Sequence, residues 1–139
     1  MLVHGTCVAF RVGGKNLAVL IRGKSGSGKS DLALRVLSLG GWLISDDQVV
    51  LKKKSRVLLA SAPKTIKGLL EVRGVGICKI KEVLPSAILM LVVDLVPQKL
   101  VPRLPQEEFE TIGGIRVVRR NLYAFEASAA LKLYKILVE

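Results

Sequence analysis

Between Gly23 and Ser30 the chain reads GKSGSGKS, so Gly23, Lys24, Ser25, Gly26, Ser27, Gly28, Lys29 and Ser30 satisfy the pattern G-x-x-x-x-G-K-[ST]. Glycines at this spacing let the backbone turn until successive N–H groups converge on phosphate oxygens. Lys29 can then reach the β- and γ-phosphates of a nucleoside triphosphate, and the Ser30 hydroxyl can ligate Mg²⁺. A short Gly-Ser pattern also arises by chance in flexible turns. Context sets this one apart: the apolar run LAVLIRG precedes it and a helix-like run follows, so free N–H groups at a helix start add to the cradle.

Phosphoryl transfer also needs a carboxylate, and two places offer one. Asp94 closes LMLVVD, an apolar strand followed by an acid in the manner of a Walker B motif. Asp46 and Asp47 stand side by side at the end of WLISDD. Neighbouring strand residues point to opposite faces, so only one of that pair faces the loop unless the strand has already broken. Periodicity leaves both places open.

The elements that must position these groups follow from the pattern of apolar residues. TCVAFRV and LAVLIRG around GGKN predict a hairpin. SDLALRVLSL predicts a helix with Leu32, Val36 and Leu39 on one face, widened by Leu34 and Leu37, and stopped at Gly40-Gly41. WLISDDQVVL and RVLLASAP read as strands, with Lys52, Lys53 and Lys54 in an exposed hairpin turn between them. GLLEVRGVGICKIKEVL reads as a strand with an irregular functional loop, and AILMLVVDLV as the central strand. Pro97, Pro102 and Pro105 mark a surface connection, FETIGGIRVVRR a last strand or two, and YAFEASAALKLYKIL an amphipathic terminal helix.

Composition bounds the rest. At 139 residues the chain is expected to form one domain, residues 1–139, around one core of Leu, Val, Ile and Ala. Its 22 Lys and Arg against 11 Asp and Glu give a formal charge of +11, which favours acidic partners without choosing among them. Cys7 and Cys78 lack any metal-site spacing and are expected to be buried and reduced. The start carries no secretory signal and AILMLVVDLV is about half the length of a membrane span, so a cytoplasmic protein without membrane partners is expected. A nucleic-acid-binding module would use the positive charge, but Phe10, Trp42, Tyr123 and Phe125 read as core rather than as an exposed stacking platform, so no nucleic-acid partner is expected.

GKSGSGKSDLAL, SDDQVV and LLEVRGVGI occur in the order and spacing of the HPr kinase/phosphorylase family. The chain resembles the short α-proteobacterial form, the catalytic domain alone, from HGT at His4 to FEASAALKL near the end; LLEVRGVGI, Leu69 to Ile77, is the most specific piece. The resemblance implies an α/β fold: a P-loop-containing mixed β-sheet core with flanking helices, related to phosphoenolpyruvate carboxykinase. It implies phosphoryl transfer between ATP and a seryl hydroxyl of the phosphocarrier HPr, with Mg²⁺ as cofactor, reversal by inorganic phosphate, and assembly as a hexamer. Carried over by position, it makes Asp47 the general base with Asp46 beside it and places His4 of the HG motif near the active site. Glu71 joins Ser30 as a metal residue, and Arg73 lies near the phosphates or a subunit interface. Under this reading Asp94 is structural.

The chain also departs from the family pattern. Lys24 brings a charge into the loop where relatives are expected to have Asp or Pro. Arg119, Arg120 and Asn121 match only loosely a phosphate-sensing motif of longer members. Two other readings of the loop are a phosphotransferase acting on a small metabolite and a nucleotide-binding sensor without catalysis; retention of Lys29, Ser30 and both aspartates argues against the sensor.

Overall fold

The computed structural model describes Met1 to Glu139. In chain order the strands are β1 (Leu2–His4), β2 (Thr6–Val12), β3 (Lys15–Arg22), β4 (Trp42–Ser45), β5 (Gln48–Lys54), β6 (Val57–Ser61), β7 (Leu69–Val72), β8 (Gly76–Lys79), β9 (Ala87–Leu95), β10 (Glu108–Ile112) and β11 (Ile115–Leu122). Two helices, α1 (Lys29–Ser38) and α2 (Ala129–Val138), complete the regular structure with two short 3₁₀ turns. No helix is long and apolar enough to cross a membrane.

Seven strands of a nine-stranded mixed sheet run in the order β1-β5-β6-β9-β3-β2-β4. The β10–β11 hairpin joins it by pairing β11 in parallel with the second half of β9, next to the point where β6 pairs antiparallel with the first half. β7 and β8 make a separate two-stranded sheet. AILMLVVDLV is therefore central, as its continuous apolar run predicts, because a strand covered on both faces needs no polar alternation.

Two apolar clusters lie on the two faces of β2, β3 and β9. Val8, Phe10, Val19, Ile21, Leu91 and Val93 face the helices, packing with Leu32, Ala33 and Val36 of α1 and Leu133 of α2. Cys7, Ala9, Ala18, Leu20 and Val92 face the other way, against Leu51, Leu58 and Val117, where the sheet curls back on itself. The single core expected from length is thus divided by the sheet. Leu89 and Leu91 fall in opposite clusters although two residues apart, because a register shift pairs Ala18 with Leu89 and Val19 with Leu91 and leaves Met90 exposed.

Several local expectations shift. Leu34 and Leu39 are exposed, and Ala33 takes the buried position between Leu32 and Val36, so the apolar stripe of α1 is narrower than its leucines suggest. Lys52 to Lys54 end β5, and the turn itself falls at Ser55-Arg56. Cys7 is buried while Cys78 is half-buried, both free. The terminal helix starts at Ala129, leaving Tyr123 to Glu126 as a separate connection. Phe10 is buried, whereas Trp42 and Tyr123 are half-buried and Phe125 is exposed.

Candidate active site

β3 delivers the chain to Gly23, and α1 carries it away from Lys29, so the glycine-rich loop bridges strand and helix as its sequence predicts. Gly28 adopts φ 98°, a left-handed conformation that suits a residue without a Cβ. Gly23 is required for a different reason: a Cβ there would collide with Ser27 Oγ and come within 3.3 Å of the Leu95 Cβ. No side chain caps α1, and the backbone N–H groups of Gly28, Lys29, Ser30 and Asp31 have no backbone acceptor. These donors, with the positive end of the helix dipole, suit an anion. Lys29 Nζ donates to the carbonyl oxygens of Gly23 at 2.8 Å and Lys24 at 3.1 Å, which holds the ammonium across the loop.

The acidic pair lies beside this loop, and the backbone explains how. β4 stops at Ser45 and the chain bends through Asp46 and Asp47, the latter at φ 74°. Aspartate tolerates that region better than most residues. The break removes the alternation that would have sent the two carboxylates to opposite faces, and both line one cavity. Asp46 Oδ1 accepts from the Ser30 hydroxyl at 3.0 Å and from the buried Thr6 hydroxyl at 2.8 Å, while Oδ2 accepts from the Glu71 backbone N–H at 3.2 Å. Asp47 makes one side-chain contact, with His4 Nε2 at 3.1 Å, and its side chain is 71% exposed. The Gly5 N–H donates to the Asp47 carbonyl at 3.0 Å and β1 pairs His4 with Gln48, so the edge strand fixes the histidine next to the bend.

The cavity has a volume of about 760 Å³, and 13 of its 15 lining residues are polar or glycine. It gathers His4, Ser25, Gly26, Gly28, Lys29, Ser30, Asp46, Asp47, Glu71 and Arg73, together with Asp31 and Phe125. Gly23, Lys24 and Ser27 lie outside its lining: the first two contribute their carbonyls to Lys29, and Ser27 Oγ is buried beneath the loop without a partner. Lys24 is exposed. Arg73, in the β7–β8 turn, brings a guanidinium nitrogen within 3.8 Å of the position a Cβ on Gly26 would occupy. Thr6, Asp31 and Phe125 are not singled out as site residues by sequence reasoning. HGT contains Thr6, but a lone threonine opening a strand carries no spacing signal.

Asp94 is engaged elsewhere. Its oxygens accept from Arg22 Nε at 2.8 Å, Arg22 Nη2 at 2.9 Å and Arg119 Nε at 2.7 Å. Burial opposes its ionisation, but the two guanidiniums outweigh that and hold the carboxyl below the usual range. Glu110, hydrogen-bonded by Arg22, is likewise held low, and the Arg22 guanidinium is pushed up by both acids. The loose Arg119-Arg120-Asn121 match belongs to this network rather than to the cavity lining, since Arg119 also donates to Glu108 and Asn121.

Ser30 and Asp46 offer one hydroxyl and one carboxylate, the hard oxygen set that Mg²⁺ accepts beside substrate phosphates and water. No group of three His, Cys, Asp or Glu side chains is placed to hold a metal by itself.

The family model described as HPr Serine kinase C-terminal domain matches residues 1–120. The chain belongs to this family. Within the HPr serine kinase family, the HPr kinase/phosphorylase of Geobacillus thermodenitrificans (strain NG80-2) is 41% identical over 117 residues, covering 76% of this chain and 36% of the relative. The HPr kinase/phosphorylase of Clostridium botulinum (strain Eklund 17B / Type B) is 42% identical over 80 residues, covering 58% and 25%. The chain therefore spans about a third or less of the curated relatives it matches. The solved structure of the Hpr(Ser) kinase/phosphatase from Coxiella burnetii superposes with a TM-score of 0.83 at 24% identity, over 99% of this chain and 93% of that one. This HPr kinase likeness establishes the fold, a mixed α/β architecture with a curled sheet.

Proposed function

We propose that residues 1–139 act as one catalytic unit that transfers the γ-phosphoryl group of ATP to a seryl hydroxyl of an HPr-type phosphocarrier protein. The observation that carries this reading is the division of the acidic pair. Asp46 is turned to Ser30, and Asp47 stands free in the same cavity with only His4 attached. One carboxylate is placed to serve the metal side of the nucleotide and the other to serve the attacking alcohol.

A serine hydroxyl is a weak nucleophile at neutral pH, so Asp47 accepts its proton as the oxygen attacks. The serine O–P bond forms, the bond from γ-phosphorus to the bridging oxygen breaks, and ADP leaves. A positioned base of this kind contributes about 10²- to 10⁴-fold in rate. His4 holds the carboxylate in register through its 3.1 Å contact. The loop N–H groups, Lys29 and Arg73 stabilise negative charge on the transferring group. Ser30, Asp46 and Glu71 would hold Mg²⁺, which would supply charge neutralisation for the transferring group. With inorganic phosphate as acceptor, a phosphate oxygen attacks the seryl phosphorus, the serine O–P bond breaks, pyrophosphate forms, and Asp47 returns a proton to the departing serine oxygen. The family resemblance further leads us to place the protein in the cytoplasm as a homo-oligomer, a hexamer in longer members.

The test is direct: purified protein, Mg-ATP and HPr from the same organism are mixed, and the mass of HPr is followed by intact-protein spectrometry. A phosphoserine adduct supports the proposal. ATP consumption with unmodified HPr contradicts it and favours a small-metabolite phosphotransferase, and ATP binding without turnover favours a sensor.

A further inference from the structure

Only two apolar side chains line the cavity, and they differ in kind. Val72 packs against the helix-side cluster, whereas Phe125 is 59% exposed, the one aromatic face in an otherwise polar site. A phenyl ring left in water forgoes the burial that normally justifies its size. This ring is nevertheless held firmly. It lies in the connection between β11 and α2, and Arg35 of α1 clamps the carbonyls on both sides of it, donating from Nη1 to Glu126 O at 2.8 Å and from Nη2 to Ala124 O. Arg35 is itself tied to Asp31 by a 3.1 Å bond from Nε. The Tyr123 ring meets Phe125 edge-on, with centroids 5.8 Å apart.

The clamp sets the ring against the start of α1. Its Cε1 and Cζ lie 3.0 and 3.1 Å from the point a Cβ on Gly28 would occupy, so it borders the free N–H groups that suit phosphate. A ligand whose phosphates fill that cradle and whose other end is a flat aromatic base meets Phe125 on the cavity wall.

We propose that Phe125 is the stacking platform for the nucleobase. The inference rests on the loop being a nucleoside triphosphate site and adds which residue holds the base. Stacking needs a π-face and no particular hydrogen-bond pattern, so the platform supplies affinity more than discrimination among bases.

Calorimetric titration of the wild-type chain, Phe125→Ala and Phe125→Tyr with ATP and with inorganic tripolyphosphate, both with Mg²⁺, separates base from phosphate binding. The expected result is that Phe125→Ala weakens ATP about 5- to 150-fold, the range of one base–aromatic stack, and leaves tripolyphosphate unchanged. Phe125→Tyr keeps the face and retains ATP affinity. An unchanged ATP affinity in Phe125→Ala overturns the platform while leaving the phosphate site standing. Equal losses for both ligands also overturn it, since the ring would then only prop the loop. If the wild-type chain binds neither ligand, the nucleotide reading fails along with the platform.

Discussion

Asp47 occupies left-handed backbone at φ 74°, where a β-carbon is ordinarily unwelcome. The same residue carries the carboxylate proposed as the base, so strain and the proposed role fall at one position. This makes Asp47→Asn an informative substitution: asparagine tolerates that backbone, keeps the shape and removes the base. We expect unfolding stability to be retained and phosphoryl transfer to fall about 10²- to 10⁴-fold. Asp47→Ala should instead cost about 1 kcal/mol of stability in denaturant titration, because alanine lacks that tolerance. Equal stability of the two variants would remove the backbone argument. The adjacent Asp46 differs: its oxygens accept from Ser30, Thr6 and the Glu71 backbone, so replacing it disturbs the loop as well as the metal side.

At the scale of elements, β9 explains both what the sequence disclosed and what it concealed. Its apolar run announced a central strand, and the glycines between LAVLIRG and SDLALRV announced a tight turn from strand to helix, since both patterns follow from backbone chemistry. The face to which Asp94 points was hidden, because Leu91, Val92, Val93 and Leu95 are apolar on both sides and alternation alone does not say which side carries α1. Val93 and Leu95 belong to the helix-side cluster, so Asp94 is sent to the opposite face, where Arg22 and Arg119 occupy it. The Walker B-like appearance is thus met by an ion-pair network. The bend that turns Asp46 and Asp47 into one cavity was equally hidden, as was the clamp on Phe125, because each depends on contacts made by distant residues.

The network gives a pH prediction with a definite sign. Asp94 and Glu110 have folded-state pKa values below their ordinary ones, so their stabilisation is present above the ordinary carboxylate range and lost as pH falls below that range through the lowered folded-state values. Arg22 is pushed up and stays charged throughout. Asp94→Asn should therefore lower stability by about 2 kcal/mol at neutral pH, the side chains being only partly exposed. It should also flatten the acid limb of a denaturation-versus-pH curve. An acid limb unchanged in the variant would show that other groups set it.

At the scale of the whole molecule, β2, β3 and β9 contribute side chains to both apolar clusters, so neither cluster can come apart without the strands that hold the other. We expect one cooperative transition, with far-UV circular dichroism and Trp42 fluorescence coinciding. Two separated transitions would show that the clusters are independent. Cys7 offers a second probe: burial pushes its thiol up, and its side chain is inaccessible, so it should resist alkylation until global unfolding while the half-buried Cys78 labels earlier. Alkylation of Cys7 in native conditions at the rate of Cys78 would contradict that packing.

If the two aspartates divide the work as proposed, the rate of serine phosphorylation of HPr by the wild-type chain and by Asp47→Asn, with ATP affinity measured in parallel, separates their roles. An HPr adduct should form with the native protein and be lost in the variant, while ATP still binds. A variant that phosphorylates HPr at the native rate would contradict that division, and the base would have to be sought among the other groups of the cavity.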